Sequence, residues 1–229
     1  MDVFPEVAPC APELTVREEG GTSLPQLVWR LGPGQRACSS AVLGGGLGER
    51  GWVLNAQVPP GYRRTDPAAH LAELALAAGL EGAGVGLMTA ARVARFTDCE
   101  EAGVRTVVTT GLGVRGWAAE RPSGLPAQPG PPSVGTVNTV IAVVAPLSDA
   151  ALVNAVATAT EAKVQALLDA GADCSGTPSD AVCVVARAPA AGGAVEPFAG
   201  PRSRWGARIA RTVYAATLAG AREWQLNSA

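Results

Sequence analysis

The sequence predicts an α+β fold, a mixed and largely antiparallel sheet packed with about three helices in a single domain. Two observations carry this. Apolar runs of strand length recur along the chain, and three longer stretches show helical periodicity with recognisable starts and stops. Their order is strands, helix, strands, helix, strand, helix, which differs from a regular βαβ array. The 229 residues suffice for one domain with a substantial core. Aromatic residues make up only 4% of the chain against 48% for all apolar types, so that core is built from Val, Leu and Ala.

Residues 1–12 are rich in proline and read as a loose lead-in, with the domain proper over 13–225. Segments 14–18 and 26–31 alternate apolar and polar residues about the turn-forming Gly20-Gly21, the pattern of a hairpin. Segment 37–43 is a short strand running into Gly44-Gly45-Gly46, and 52–58 is another, closed by Pro59-Pro60-Gly61. Asp66 followed by Pro67 is a helix start, with an N-cap acceptor and then proline at the first helical position; Gly79 ends that helix. Segments 85–88 and 104–109 read as strands, the second apolar enough to be central.

The stretch 119–135, AERPSGLPAQPGPPSVG, contains five prolines and cannot form regular structure. It could link two domains, but because its flanks read as parts of one sheet, it is expected to be a long loop inside one domain. After it, 136–144 is the strongest strand signal. Ser148 caps the strongest helix, which runs to about Ala170 with Gly171 at its end. A buried strand over 181–186 follows, then Gly200-Pro201 leads into a last helix from Ser203 to about Glu223.

Composition excludes several functions. The net charge of −2 gives no basic face for nucleic acid, apart from the local cluster Arg202, Arg204, Arg208 and Arg211. Five scattered cysteines (Cys10, Cys38, Cys99, Cys174, Cys183) with no CxxC spacing, and one histidine, offer no zinc ligand set. They read as reduced thiols in a cytoplasmic protein. The N-terminus lacks the basic-then-apolar pattern of a signal peptide, and no run of 18 apolar residues occurs. Neither a membrane nor a metal or other cofactor is expected, and a homo-oligomer is left open.

The helix from Ser148 carries the most informative polar residues. At about 100° per residue, Leu152, Val153, Val156 and Leu167 group on one face, and Asn154, Thr158, Glu161, Gln165 and Asp169 on the opposite one. Thr160 and Lys163 then project into the apolar face. A lysine there must snorkel out or find a partner, since an unpaired buried ammonium is costly. Asp180, at the end of the hydroxyl-rich turn Gly176-Thr177-Pro178-Ser179-Asp180, is the partner at hand. The pair reads either as a structural ion pair or as a site lysine with its carboxylate.

Asn138 interrupts its apolar strand and Asn55 sits between Leu54 and Ala56; each needs partners for its amide in the core or across a ligand. The run Gly44 to Gly48 lacks the Gly-Lys-Ser/Thr ending of a phosphate loop, which rejects nucleoside triphosphate binding. Ser39 and Ser40 precede that run with no histidine base nearby. His70 reads as a surface or packing residue, so a Ser-His-Asp triad is unsupported.

Several of these segments together resemble the adenosylcobinamide amidohydrolases. The resemblance lies in Thr136-Val137-Asn138-Thr139, in Ala157-Thr158-Ala159-Thr160-Glu161-Ala162-Lys163, and in Gly176-Thr177-Pro178-Ser179-Asp180-Ala181-Val182. The run Ser39-Ser40-Ala41-Val42-Leu43-Gly44-Gly45-Gly46, Asn55, Met88-Thr89-Ala90-Ala91 and Ala199-Gly200-Pro201 match in the same order, so it spans about residues 35–220. This chain departs at Ser179, where the family reads threonine, and at Ala56, where the family often has histidine.

The resemblance implies hydrolysis of the amide joining the aminopropanol arm to the corrin ring, in cobalamin salvage. It implies no cofactor and a corrinoid substrate as partner. Such chemistry needs a base, oxyanion donors and an acid for the leaving amine. The expected assignment has Asp180 as base, Lys163 as its charge partner or an oxyanion stabiliser, and Asn138 and Thr160 as donors. Glu161 matches the family block but points away from Lys163. Asn55, Ser39, Ser40, Thr158, Thr177 and Ser179 are expected around the substrate, and Ser39, Thr160 and Ser179 stay open as nucleophiles. Trp52, Trp117 and the 119–135 loop are candidates to cover the cleft. A corrinoid carrier without activity, or an amidohydrolase of another substrate, are the competing readings.

Overall fold

A computed structural model describes residues 9–120 and 135–227. The expectations for the first eight residues and for most of the 119–135 loop lie outside the described residues. The strands are β1 (Glu13–Glu19), β2 (Thr22–Arg30), β3 (Gln35–Ser39), β4 (Gly46–Glu49), β5 (Trp52–Gln57), β6 (Gly84–Thr89), β7 (Thr97–Glu101), β8 (Val104–Leu112), β9 (Gly135–Pro146) and β10 (Ala181–Arg187). The helices are α1 (Pro67–Ala77), α2 (Asp149–Asp169) and α3 (Arg204–Leu226), with one short 3-10 turn at Val93–Arg95.

The α+β class, the mixed and largely antiparallel pairing and the three helices are as expected. The strands, however, divide between two sheets: one of four in the order β1-β2-β5-β6, and one of six in the order β4-β3-β10-β9-β8-β7. All pairs are antiparallel except β5 with β6 and β9 with β10. Each parallel pair is joined through a helix, α1 and α2 respectively, because a parallel return needs a crossover.

The sheets pack face to face, with Leu27, Trp29, Val53, Val85 and Leu87 of the smaller against Val107, Val140, Cys183 and Val185 of the larger. Helix α1 covers the outer face of the small sheet through Leu71, Leu74 and Ala75 against Val28, Trp52 and Leu54. Helices α2 and α3 cover the outer face of the large one, where Leu152, Ala155, Ala159, Ile209 and Val213 meet Ile141, Val143 and Val184. Strands β5, β9 and β10 are thus buried on both faces, which is why they read as near-continuous apolar runs.

Local sequence explains several boundaries. Gly20 and Gly21 both adopt positive φ (58° and 77°), the two-residue turn whose twist suits a hairpin. Ser148 and Ser203 cap α2 and α3, accepting from the N–H groups of Ala151 and Gly206. Asp66 departs from its expected role: it makes no capping bond, because its carboxylate is held by Arg64. Residues 46–49 form the edge strand β4 against β3, consistent with rejecting a phosphate loop.

The largest correction concerns α2. Its buried face is Ala151, Leu152, Ala155, Thr158, Ala159, Ala162, Lys163, Ala166 and Leu167. Val153 is 54% exposed and Thr160 is exposed. Leu152 and Leu167 lie on the core side as expected, but alanines make up most of it, because α2 lies close against both the sheet and α3. The expected face is therefore rotated: Thr158 turns inward and Thr160 outward.

Candidate active site

At one end of the sheet pair, where β3, β5 and β6 finish and β9 and β10 begin, lies a cleft of about 740 Å³. That is within the ~300–1,000 Å³ typical of small-molecule sites. Its wall is built from Ser40, Ala41 and Val42 after β3, Tyr62 and Arg64 after β5, and Met88 and Thr89 at the end of β6. Thr136 and Asn138 of β9 and Ser179 and Asp180 ahead of β10 complete it.

Asp180 and Lys163 do meet. Lys163 reaches through from α2 to form an ion pair with Asp180 Oδ2, and only 8% and 12% of the two side chains are exposed. The Thr177 N–H donates to the same oxygen at 3.1 Å. Oδ1 accepts from the Val137 N–H at 2.8 Å and from the Thr177 hydroxyl at 2.6 Å. Four donors thus fill the acceptor positions of one carboxylate, which ties the 176–180 turn to the first residues of β9. Gly176 makes this possible: at φ 150° it takes a backbone shape L side chains avoid, and a Cβ there would collide with both members of the ion pair. Asp180 faces the cleft and Lys163 lies behind it.

Asn55 and Asn138 bridge the two sheets. Asn55 Nδ2 donates to the Thr109 hydroxyl at 3.0 Å, and Asn138 Nδ2 donates to Asn55 Oδ1 at 2.9 Å and to the Met88 carbonyl at 3.1 Å. Both residues are 1% exposed. Among the described residues the Asn138 Oδ1 has no hydrogen-bond partner. A buried acceptor left open beside a cleft is a place for a ligand N–H or a water. Expected as an oxyanion donor, Asn138 instead has both N–H groups engaged and an acceptor to offer.

The other expected residues separate into two groups. Ser40 lines the cleft and its oxygen accepts from the Val182 N–H at 3.1 Å. Ser179 and Thr136 line it as a hydroxyl pair 2.6 Å apart. Ser39, Thr158 and Thr177 are engaged in the frame. Ser39 donates to the Val182 carbonyl and accepts from the Ala41 N–H, Thr158 donates to the Ala199 carbonyl, and Thr177 holds Asp180. Glu161 and Thr160 are exposed and off the cleft, Thr160 donating to the Val156 carbonyl of its own helix. Trp52 is buried under α1 and Trp117 is 44% exposed, and neither lines the cleft.

Sequence reasoning missed Tyr62, and of its two readings of His70, surface or packing, the structure has the second. Tyr62 lines the cleft, and its hydroxyl lies 2.9 Å from His70 Nδ1 with the two rings stacked. His70 is 3% exposed, and its Nε2 lies 3.2 Å from Glu19 Oε1 of β1. Burial pushes the Tyr62 phenol up; Arg64 opposes this, and Asp66, Glu19 and Glu73 reinforce it, so the phenol holds its proton. No local pattern links three residues from a strand, a loop and a helix. Among the described residues no group of three His, Cys, Asp or Glu is placed to hold a metal ion.

Comparison with known proteins gives this cleft its context. The adenosylcobinamide amidohydrolase family matches residues 10–229. An adenosylcobinamide amidohydrolase of Methanosarcina mazei is 30% identical over 187 residues, covering 79% of this chain and 88% of the relative. With nearly every residue of the fold inside that match, the chain belongs to the adenosylcobinamide amidohydrolase family.

Proposed function

We propose that this cleft hydrolyses adenosylcobinamide at the amide of its aminopropanol arm, giving adenosylcobyric acid and aminopropanol. The carrying observation is Asn138 Oδ1, buried without a partner among the described residues beside a cleft that has hydroxyls on one side and apolar side chains on the other. A secondary amide presents one N–H and one C=O. Asn138 Oδ1, just beneath the cleft surface, accepts the N–H as the substrate seats. The Ser40 hydroxyl, which accepts from the Val182 N–H and keeps its own proton to give, meets the carbonyl oxygen as charge develops on it. The Ser179 and Thr136 protons are held between the two hydroxyls and the Gly135 carbonyl. The apolar side of the cleft, Val42, Val58, Leu87 and Met88, suits the hydrocarbon edge of a corrin, with the bulk of the ring at the mouth.

Asp180 and Lys163 keep a role, but a positional one. With four donors on its carboxylate, Asp180 has no free lone pair to take a proton, and its fixed charge instead holds Lys163, the 176–180 turn and the start of β9 in register.

The test is incubation of the purified protein with adenosylcobinamide, with adenosylcobyric acid followed by mass spectrometry. Product formation is expected, and Asn138→Ala is expected to lower kcat/KM by about tenfold or more, the value of a lost hydrogen bond to a buried partner. Binding without product would overturn the reading in favour of a carrier, and absence of binding would point to another amide. Glu161→Gln, on the exposed side of α2, is expected to leave turnover within about twofold.

A further inference from the structure

We infer that Tyr62, His70 and Glu19 form a proton relay serving this cleft, with the Tyr62 phenol as the group that exchanges protons at the reacting amide. The inference rests on the amide-hydrolysis reading and adds the proton-transfer machinery that reading lacks. Amide hydrolysis needs a group that removes a proton from water and one that gives a proton to the leaving nitrogen. Asp180 is saturated by donors, and among the described residues no titratable base stands behind the Ser40, Thr136 and Ser179 hydroxyls. Tyr62 is the cleft hydroxyl backed by an imidazole and then a carboxylate.

The order of the chain follows from its end. Arg17 donates to Glu19 Oε2 from two nitrogens at 3.2 and 2.7 Å, which fixes the carboxylate. An ionised carboxylate attracts a proton and offers none, so Glu19 Oε1, 3.2 Å from His70 Nε2, favours the hydrogen on that nitrogen and acts on the ring through its charge. His70 Nδ1 is then the acceptor for the Tyr62 O–H, a tautomer assigned from the network. Hydroxyl, imidazole and carboxylate stand in the sequence that activates a hydroxyl in nucleophilic enzymes, with a phenol in the first place. The remaining charges facing this relay are Arg64, Asp66 and Glu73, which pair among themselves. They leave the imidazole to Glu19.

The step balances. A water oxygen bonds to the amide carbon and gives its proton to Tyr62 Oη while the phenol proton passes to His70 Nδ1, and Glu19 offsets the imidazolium charge. The His70 proton then returns through Tyr62 to the leaving nitrogen and the C–N bond breaks. The carboxylic acid and amine so formed exchange one proton to leave a carboxylate and an ammonium.

Steady-state kinetics on adenosylcobinamide test this with Tyr62→Phe, His70→Gln and His70→Gly, each checked for folding by its thermal melt. Tyr62→Phe and His70→Gln are expected to lower kcat by about 10²-fold or more with KM within about threefold, the signature of lost acid–base catalysis. In His70→Gly, added imidazoles of similar size are expected to restore rate in proportion to their basicity, which a merely space-filling histidine would not require. An active wild type with Tyr62→Phe at full kcat, an effect confined to KM, or rescue independent of basicity would each overturn the relay and leave the proposed function standing. A wild type without turnover would overturn both.

Discussion

The Lys163–Asp180 pair shows how much one misplaced-looking residue can organise. Removing the ammonium leaves a carboxylate that is nine-tenths buried and still committed to two backbone N–H groups, so it cannot rotate out to water. Breaking a buried pair from one side costs roughly 3–5 kcal/mol. Lys163→Met is therefore expected to lower unfolding free energy by about 3 kcal/mol or more in urea titrations. A loss under about 1 kcal/mol, the range of exposed pairs, would mean that water screens the pair and that it does not anchor the turn. The sequence revealed this pair because a charge among apolar neighbours demands a partner. Tyr62 and His70 left no such trace, since a phenol after a Pro-Pro-Gly turn and a histidine on a short helix are each unremarkable until the fold brings Glu19 across.

At the scale of elements, signals with a local cause were legible and those set by packing were not. The Gly20-Gly21 hairpin, the serine caps of α2 and α3 and the apolar run of β9 each follow from a few adjacent residues. Strands β4 and β7 are short, partly exposed sheet edges (GLGE and TDCEE) with no apolar alternation to announce them. The division into two sheets is also invisible locally, because strands covered on both faces look alike whichever sheet they join. Helix α2 is the sharpest case. Periodicity alone favours the larger aliphatics as its core face; Leu152 and Leu167 are there, but the close approach to α3 and the sheet selects alanine for most of the face and leaves Val153 outside. The two alternatives predict opposite mutant behaviour. Ala159→Leu should overpack the interface and cost about 1–3 kcal/mol, whereas Val153→Ser should stay within about 0.5 kcal/mol. The urea midpoints of the two variants decide between them, and the reverse ranking would restore the aliphatic face.

For the whole molecule, the stack of helix, sheet, sheet and helix pair leaves one layer that no solvent-facing element touches: the space between the sheets. The site belongs to its open end, where Asn55 and Asn138 tie one sheet to the other and strand ends splay into the cleft. Cys183 belongs to its closed interior, on β10 with β3 on one side and β9 on the other. Burial pushes its thiol up to about 12, with the neighbouring Ser39 hydroxyl opposing. At pH 8 the thiolate fraction of such a group is on the order of 10⁻⁴, so reaction must await opening of the sheets. Iodoacetamide labelling followed by peptide mass spectrometry should therefore find Cys183 among the slowest of the five thiols. Its rate should also rise with sub-denaturing urea in step with the loss of global stability. The sign with pH follows from the same shift. The folded thiol keeps its proton where the unfolded one has lost it, so the stability it contributes is full below the ordinary thiol range and declines as pH rises from there toward 12. Labelling of Cys183 as fast as that of the partly exposed Cys10, and indifferent to urea, would mean that the two sheets do not close on each other and that the bridge holding the cleft is not fixed.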